Sequence, residues 1–333
     1  MQAKANALAL TYTSHGKPED VLQPHSGTPI TPEADEIRAR MLAAAIHPSD
    51  LGMIQGVYGR LPDLPAVAGR EGVAEVEDVG GEVSSEWIGK RILIPEGVGS
   101  WQTYCCCPAA SCIEVSPDIP VEQAALARIN PPTALRLLED FACLQEGDWI
   151  IQNAANSAVG QCVIQISRMR GIHTLNVLRT PEKWEAELKE LGADVVLGET
   201  SGYEKDIASI TGGKKPSLGL NSVGGESVRR LIKSMGLGAT VVTFGGMTGE
   251  PIRFPTRQLI FEDLKLCGFW MDRWYREADS QSIQDMMNRL FNWIHRHELH
   301  IKIDQSYALS DYREALERAQ TSERRGKVLF HEQ

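Results

Sequence analysis

Asp148-Trp-Ile-Ile-Gln-Asn-Ala-Ala-Asn-Ser-Ala-Val-Gly160 runs directly into Gln161-Cys-Val-Ile-Gln-Ile-Ser-Arg-Met-Arg-Gly171, and the reading of this stretch decides the fold. Trp149, Ile150 and Ile151 make a short apolar run after a Gly147-Asp148 turn, the pattern of a buried strand. Val159, Val163, Ile164 and Ile166 then recur at helical spacing until Gly171 stops the helix. A second β-rich run, Thr174-Leu-Asn-Val-Leu178, follows at once. Strand, tight turn, helix and strand together predict a right-handed βαβ unit of the kind that binds dinucleotides.

At the turn of that unit the usual glycines fall on Ala155, Ser157 and Gly160, so only the last is retained. Alanine and serine are still small enough for a pyrophosphate to approach the backbone. The N–H groups that open the helix near Ser157 to Gly160 present a partial positive charge to it. The blander account is an ordinary βα turn in a parallel sheet.

The rest of the chain sets the frame. Its 333 residues suggest two domains, and 42% hydrophobic content is ample for their cores. A formal charge of -10 with no basic stripe argues against a nucleic-acid partner. No apolar run is long enough to span a bilayer, and Met1-Gln-Ala-Lys-Ala-Asn-Ala-Leu8 lacks a signal-peptide core, so a cytoplasmic address is the default expectation. Cysteines at 105, 106, 107, 112, 143, 162 and 267 form no disulfide framework. Adjacent cysteines on a strand point to opposite sides, which disfavours convergence of Cys105, Cys106 and Cys107 on one metal. His295, His297 and His300 lack the i, i+4 spacing of a helical metal pair.

From Ala7 to about residue 122 the sequence is strand-rich and punctuated by Gly and Pro, which predicts a compact β-barrel-like domain. Within it His47-Pro-Ser-Asp50, Met53-Ile-Gln-Gly-Val-Tyr-Gly59 and Gly69-Arg-Glu-Gly72 carry turn residues and belong on loops or element ends, where binding groups lie. Two helical pieces flank Asn130-Pro131-Pro132, which places a domain boundary near 122. Beyond the central βαβ, Asp194-Val-Val-Leu197, Leu218-Gly-Leu-Asn-Ser222 and Ala239-Thr-Val-Val-Thr-Phe-Gly-Gly-Met247 are each a short β run following a helical segment. Such alternation predicts a doubly wound parallel sheet. Val223-Gly-Gly225 and Phe244-Gly-Gly-Met247 fall at carboxyl ends of strands, where open α/β sheets bind ligands or simply turn tightly. An amphipathic helix over Ile283 to His295 and a final helix and strand ending at Phe330 complete the chain.

Met53-Ile-Gln-Gly-Val-Tyr-Gly59, Ile151-Gln-Asn-Ala-Ala-Asn-Ser-Ala-Val-Gly160, Phe244-Gly-Gly-Met247 and Gly268-Phe-Trp270 together resemble the medium-chain dehydrogenase/reductase superfamily, and within it the mitochondrial-type 2-enoyl thioester reductases. The Gly-x-Tyr loop also resembles that of quinone reductases in the same superfamily. The resemblance implies an α/β protein with a GroES-like β-barrel catalytic domain, residues 1–122 completed by 266–333, and a Rossmann NADPH-binding domain at 123–265. It implies reduction of trans-2-enoyl thioesters of coenzyme A or acyl carrier protein by NADPH, no metal, and a homodimer. Matched residue by residue, the implied cofactor contacts are Asn130, Asn156, Ser157, Ala158, Val159, Arg179, Phe244, Gly245, Gly246, Met247, Phe269, Trp270, Met271, Asp272 and Lys327. Tyr58 matches the catalytic tyrosine. Where zinc-containing relatives carry Cys and His, this chain has His47 and Arg70, and Arg70 also replaces the small or amide residue common in the enoyl reductases.

The chemistry suits these residues. Hydride addition to the β-carbon of an enoyl thioester drives negative charge onto the thioester oxygen, where a neutral hydrogen-bond donor lowers the barrier. A tyrosine with an unperturbed pKa of about 10 keeps its proton at neutral pH and serves as that donor. Arg179, at the end of the second strand, can hold the 2'-phosphate that distinguishes NADPH from NADH. A quinone reductase, or a nicotinamide-binding protein without catalysis, are the rival readings.

Overall fold

A computed structural model describes residues 7–252, 254–322 and 324–331. Its strands, numbered along the chain, begin with β1 (Ala7–Tyr12), β2 (Gln23–Gly27), β3 (Glu36–Ala45), β4 (Ala66–Val67), β5 (Gly72–Val79), β6 (Arg91–Leu93), β7 (Tyr104–Pro108) and β8 (Ile113–Val115). The middle set is β9 (Trp149–Asn153), β10 (His173–Leu178), β11 (Val195–Gly198), β12 (Leu218–Asn221), β13 (Thr240–Thr243) and β14 (Lys265–Gly268), and β15 (Ile303–Tyr307) and β16 (Lys327–His331) close the chain.

The chain divides into two compact units, one made of residues 1–129, 287–295 and 300–333, the other of residues 130–286 and 296–299. In the first, β3 is the organising strand because its alternating Ile37, Ala39, Met41 and Ala43 are all buried. It pairs with β5 along one edge, and along the other with β7 at its start and β16 at its end, so the last strand of the chain is built into the first domain. The sheet runs β15-β16-β3-β5-β6-β8, with a smaller sheet β2-β1-β4 beside it. Trp101, fully buried, donates from Nε1 to the Ala45 carbonyl at 3.0 Å and meets Phe330 edge-on. On β7 the alternation expected of adjacent cysteines is present: Cys105 and Cys107 are buried and Cys106 is half-buried.

In the second unit β11-β10-β9-β12-β13-β14 form a sheet in which every pairing is parallel. The chain builds outward from β9 to β11, returns, and builds the other way from β12 to β14, so the strand order reverses between β9 and β12. Open α/β sheets take their ligands at the carboxyl side of such a reversal. The core is Ile151, Leu175, Val177, Leu231, Val241 and their neighbours on one side, and Ala155, Ile164, Leu178 and Leu188 on the other.

The units divide between 129 and 130, not near 122, and the chain returns to the first unit at 287, not 266. The physical reasons are local. Gln123 exchanges two hydrogen bonds with the Ile301 backbone, at 2.8 and 2.9 Å, and the Ile129 N–H donates to Glu71, so this segment is tied to the first unit. β14 hydrogen-bonds to β13, which keeps Lys265–Gly268 and the following Phe269–Asp272 in the parallel-sheet unit.

Candidate active site

The turn after β9 shows why one glycine is retained and two are dispensable. A Cβ on Gly160 would lie 2.6 Å from the Ala155 carbonyl oxygen, a backbone atom that cannot move aside, so strand and helix pack this closely only with glycine there. Ser157 has φ -71°, which any residue adopts, and caps the helix Ala158–Met169 by accepting from the Gly160 N–H at 3.1 Å. This refines the sequence expectation, because the Gly160 N–H is engaged by the cap and the first-turn donors left for a ligand are those of Ala158 and Val159. The backbone twist of the turn is taken by Ala154 at φ +46°.

Buried asparagines in β9 and β12 shape the loops beside it. Asn153 Nδ2 donates to Asn221 Oδ1 at 2.8 Å and to Ser227 Oγ at 3.0 Å, while its Oδ1 accepts from the Ser222 N–H. Asn221 Oδ1 also accepts from the N–H groups of Val223 and Gly224. These contacts fix the turn into the helix Gly225–Ser234. Sequence reasoning did not single out either residue; the only signal was an amide at the end of an apolar strand.

Phe244–Met247 follow β13 and are strapped to the neighbouring loop by Met247 N–H to Ser222 O at 3.0 Å. Gly224 and Gly225 have φ of +91° and +53°, so for them the tight-turn account is sufficient. Gly246 differs, since apart from its chain neighbours no heavy atom of the described residues lies within 4 Å of where its Cβ would be. Phe269 N–H bonds the Thr243 carbonyl, its ring meets Phe141 edge-on, and Trp270 opens the helix Met271–Glu277, in which Met271 and Asp272 are buried. Arg179 is exposed directly after β10. Asn130, at the start of the helix Asn130–Glu139, is 5% exposed, and its Nδ2 donor has no partner among the described residues.

This donor set fits a dinucleotide. A buried amide donor left unsatisfied is costly unless a ligand completes it. Helix N–H groups, a glycine with open space where its Cβ would stand among the described residues, and an exposed guanidinium follow the carboxyl ends of β9, β13 and β10 in one parallel sheet.

The first unit holds Tyr58, half-buried in the loop after the helix Pro48–Ile54. Gly56 makes that loop possible with φ +78°. Arg70 NH1 donates to the Tyr58 hydroxyl at 3.2 Å and to Ser49 Oγ at 2.8 Å, and the guanidinium carbon stands 4.7 Å from the centroid of the Tyr58 ring. The residue that departs from the enoyl reductase pattern is therefore in direct contact with the residue matched as catalytic.

Behind them lies a buried charged cluster. Lys327 Nζ is 2.6 Å from His47 Nδ1, and His47 Nε2 makes a short contact with Glu71 Oε1. Lys327, implied as a cofactor contact by resemblance, is itself buried here. The other Glu71 oxygen accepts from Ile129, and Asp50 accepts from the His47 N–H at 2.6 Å. Burial pushes the Glu71 carboxyl up to about 7 against the opposing pull of Lys327, and burial, with Lys327 beside it, holds His47 well below its ordinary value. Among the described residues no group of three or more His, Cys, Asp or Glu side chains could hold a metal ion.

Comparison with known proteins decides the family. Residues 33–117 match the model of the alcohol dehydrogenase GroES-like domain, and residues 158–292 that of the zinc-binding dehydrogenase. The mitochondrial enoyl-[acyl-carrier-protein] reductase of Xenopus tropicalis is 40% identical over 95% of this chain and 92% of its own length. The human protein of that name is 40% identical over 94% and 85%. The chain belongs to the mitochondrial-type enoyl reductases of the medium-chain dehydrogenase/reductase superfamily. Among solved structures, the Etr1p complex with NADP and crotonyl-CoA superposes with TM-score 0.89 at 27% identity, covering 98% of this chain and all of that one. A candidate NADPH:quinone reductase from Bacillus thuringiensis gives 0.91 at 29%, covering 98% and 99%. The fold class read from the sequence, a GroES-like domain with a Rossmann-type parallel sheet, is the fold of this family. Among the described residues no helix is long and apolar enough to cross a membrane.

Proposed function

We propose that this member of the family reduces trans-2-enoyl thioesters to saturated acyl thioesters with NADPH, using Tyr58 as the catalytic donor. The observation that carries the reading is the placement of Tyr58: a half-buried phenol in a glycine-hinged loop, with its oxygen already engaged by Arg70. NADPH, when bound, would supply a hydride to the β-carbon, and the α-carbon would then take a proton from the Tyr58 hydroxyl or from solvent. The chain's own part is to meet the charge arriving on the thioester oxygen with the Tyr58 hydroxyl and to hold the cofactor in register. For the cofactor, Asn130 offers its unsatisfied amide, Asn156–Val159 the helix N-terminus, and Arg179 a guanidinium for the 2'-phosphate. Phe244–Met247 and Phe269–Asp272 supply walls, and Lys327 acts from within the buried cluster.

Fold similarity alone does not separate thioester from quinone reduction, since the Bacillus thuringiensis protein superposes slightly better. The near-complete alignment at 40% identity with enoyl-[acyl-carrier-protein] reductases favours the thioester. Steady-state oxidation of NADPH against crotonyl, hexenoyl and decenoyl thioesters, with a quinone in parallel, tests it. Thioester turnover well above quinone turnover is expected. The reverse order would establish the quinone reductase, and NADPH binding with neither turnover would leave a non-catalytic binding protein.

A homodimer through the parallel-sheet unit is part of the same proposal. β14 is an edge strand, and Phe254, Ile260 and Phe261 are 47%, 65% and 68% exposed on the segment just before it. Sedimentation should give a dimer that Phe261→Asp weakens. A cytoplasmic address is proposed against relatives whose names place them in mitochondria, and cell fractionation decides between the two.

A further inference from the structure

We propose that Arg70 is a positioning residue for the reduction: it holds the Tyr58 oxygen as an acceptor and so turns the phenolic proton toward the thioester oxygen. The inference rests on the reductase reading and extends it to a residue at which this chain departs from its family's pattern.

A guanidinium offers donors only, so in the 3.2 Å contact between Arg70 NH1 and Tyr58 Oη the phenol oxygen is the acceptor. The single phenolic proton then has to be directed elsewhere. Accepting from a permanent cation polarises the O–H bond, which makes the hydroxyl a stronger donor to an oxygen that is gaining charge. The geometry is held from several sides. Ser49 Oγ accepts from the same nitrogen at 2.8 Å, at the start of the helix Pro48–Ile54, and the guanidinium stands against the Tyr58 ring at 4.7 Å. Behind the phenol, the Gly56 turn is closed by His15, whose ring and Cβ lie 3.0 Å from where a Cβ on that glycine would stand. Lysine at position 70 would bring charge without the planar group that both donates and stacks, so it replaces arginine poorly.

The test is a double-mutant cycle with NADPH and crotonyl-CoA, combining Arg70→Met with Tyr58→Phe. Arg70→Met alone should lower kcat by about tenfold with the KM for NADPH unchanged, and in the Tyr58→Phe background it should cost less than about twofold. Guanidinium ion should restore part of the kcat of Arg70→Ala and none of that of Arg70→Ala combined with Tyr58→Phe. Equal losses in the two backgrounds would overturn the role of Arg70 while leaving the reductase reading intact. Absence of wild-type turnover would remove both.

A second readout needs no turnover. In protein labelled at the tyrosine ζ-carbon, the NMR resonance missing from Tyr58→Phe should shift in Arg70→Met. An unmoved resonance would overturn the contact itself.

Discussion

Lys327 and His47, 280 residues apart in sequence, meet inside the first unit with Nζ 2.6 Å from Nδ1. An ammonium group cannot accept, so Lys327 donates to Nδ1, His47 carries its proton on Nε2, and above about pH 7, with Glu71 ionised, that N–H donates to the Glu71 carboxylate. The contact thus decides a histidine tautomer and joins strand β16 to the loop before the helix Pro48–Ile54.

At pH 8, where Glu71 is ionised, Lys327→Met should be strongly destabilising, by about 3–5 kcal/mol, because it leaves that carboxylate buried without its cation. The midpoint of urea unfolding measures this. A loss within about 0.5 kcal/mol would mean that the cluster is not ion-paired in solution.

The pH dependence of stability has a definite sign. Glu71 is raised from 4.5 to about 7 by burial, so its contribution is present at low pH and is lost as pH rises through about 7. His47 is lowered from 6.5, so its contribution is present above 6.5 and is lost as pH falls. Between 4.5 and 6.5 the folded protein holds one proton on Glu71 where the unfolded chain holds one on His47, and the two effects offset. Asp50 is also raised by burial, and His47 is one of the groups that holds it down, so His47→Gln shifts Asp50 further up and adds to the gain in the same direction. His47→Gln should therefore gain stability relative to wild type on acidification across this window, on the order of 1–3 kcal/mol. Parallel stability profiles for the two proteins would refute the assignment.

Tyr58→Phe removes one hydroxyl from a half-buried ring. Folding and NADPH affinity should survive, while kcat with an enoyl thioester falls by roughly a hundredfold, the scale of one lost oxyanion donor. Turnover at the wild-type rate would move the donor role elsewhere.

Arg179→Ala should raise the KM for NADPH and leave that for NADH nearly unchanged, since only NADPH carries the 2'-phosphate. Equal losses with both cofactors would mean that the exposed guanidinium does not read the phosphate.

Gly160→Ala forces a methyl to within 2.6 Å of the Ala155 carbonyl oxygen. Strand and helix must separate, which is expected to cost about 1–3 kcal/mol and to weaken NADPH binding at the same turn. Unchanged melting and unchanged cofactor affinity would show that the turn tolerates the methyl.

Much of this protein could be read along the chain. The helical spacing of Val159, Val163 and Ile166 and the β-run through Val177 report burial on elements whose period is local, so the βαβ unit, the parallel sheet and the retained Gly160 were legible. The strand order, with its reversal between β9 and β12, follows from packing of distant segments and became visible only in the fold. The same holds for the domain limits. Gln123 belongs to the first unit because of Ile301, and Phe269–Asp272 to the second because β14 pairs with β13. At the candidate site, sequence pattern pointed to Tyr58 and marked Arg70 as a departure, but not that one binds the other. It held no sign that Lys327, His47 and Glu71 form one buried chain of hydrogen bonds. Partners in such a cluster are chosen by three-dimensional proximity and by the need to satisfy every buried charge, and neither leaves a period in the sequence.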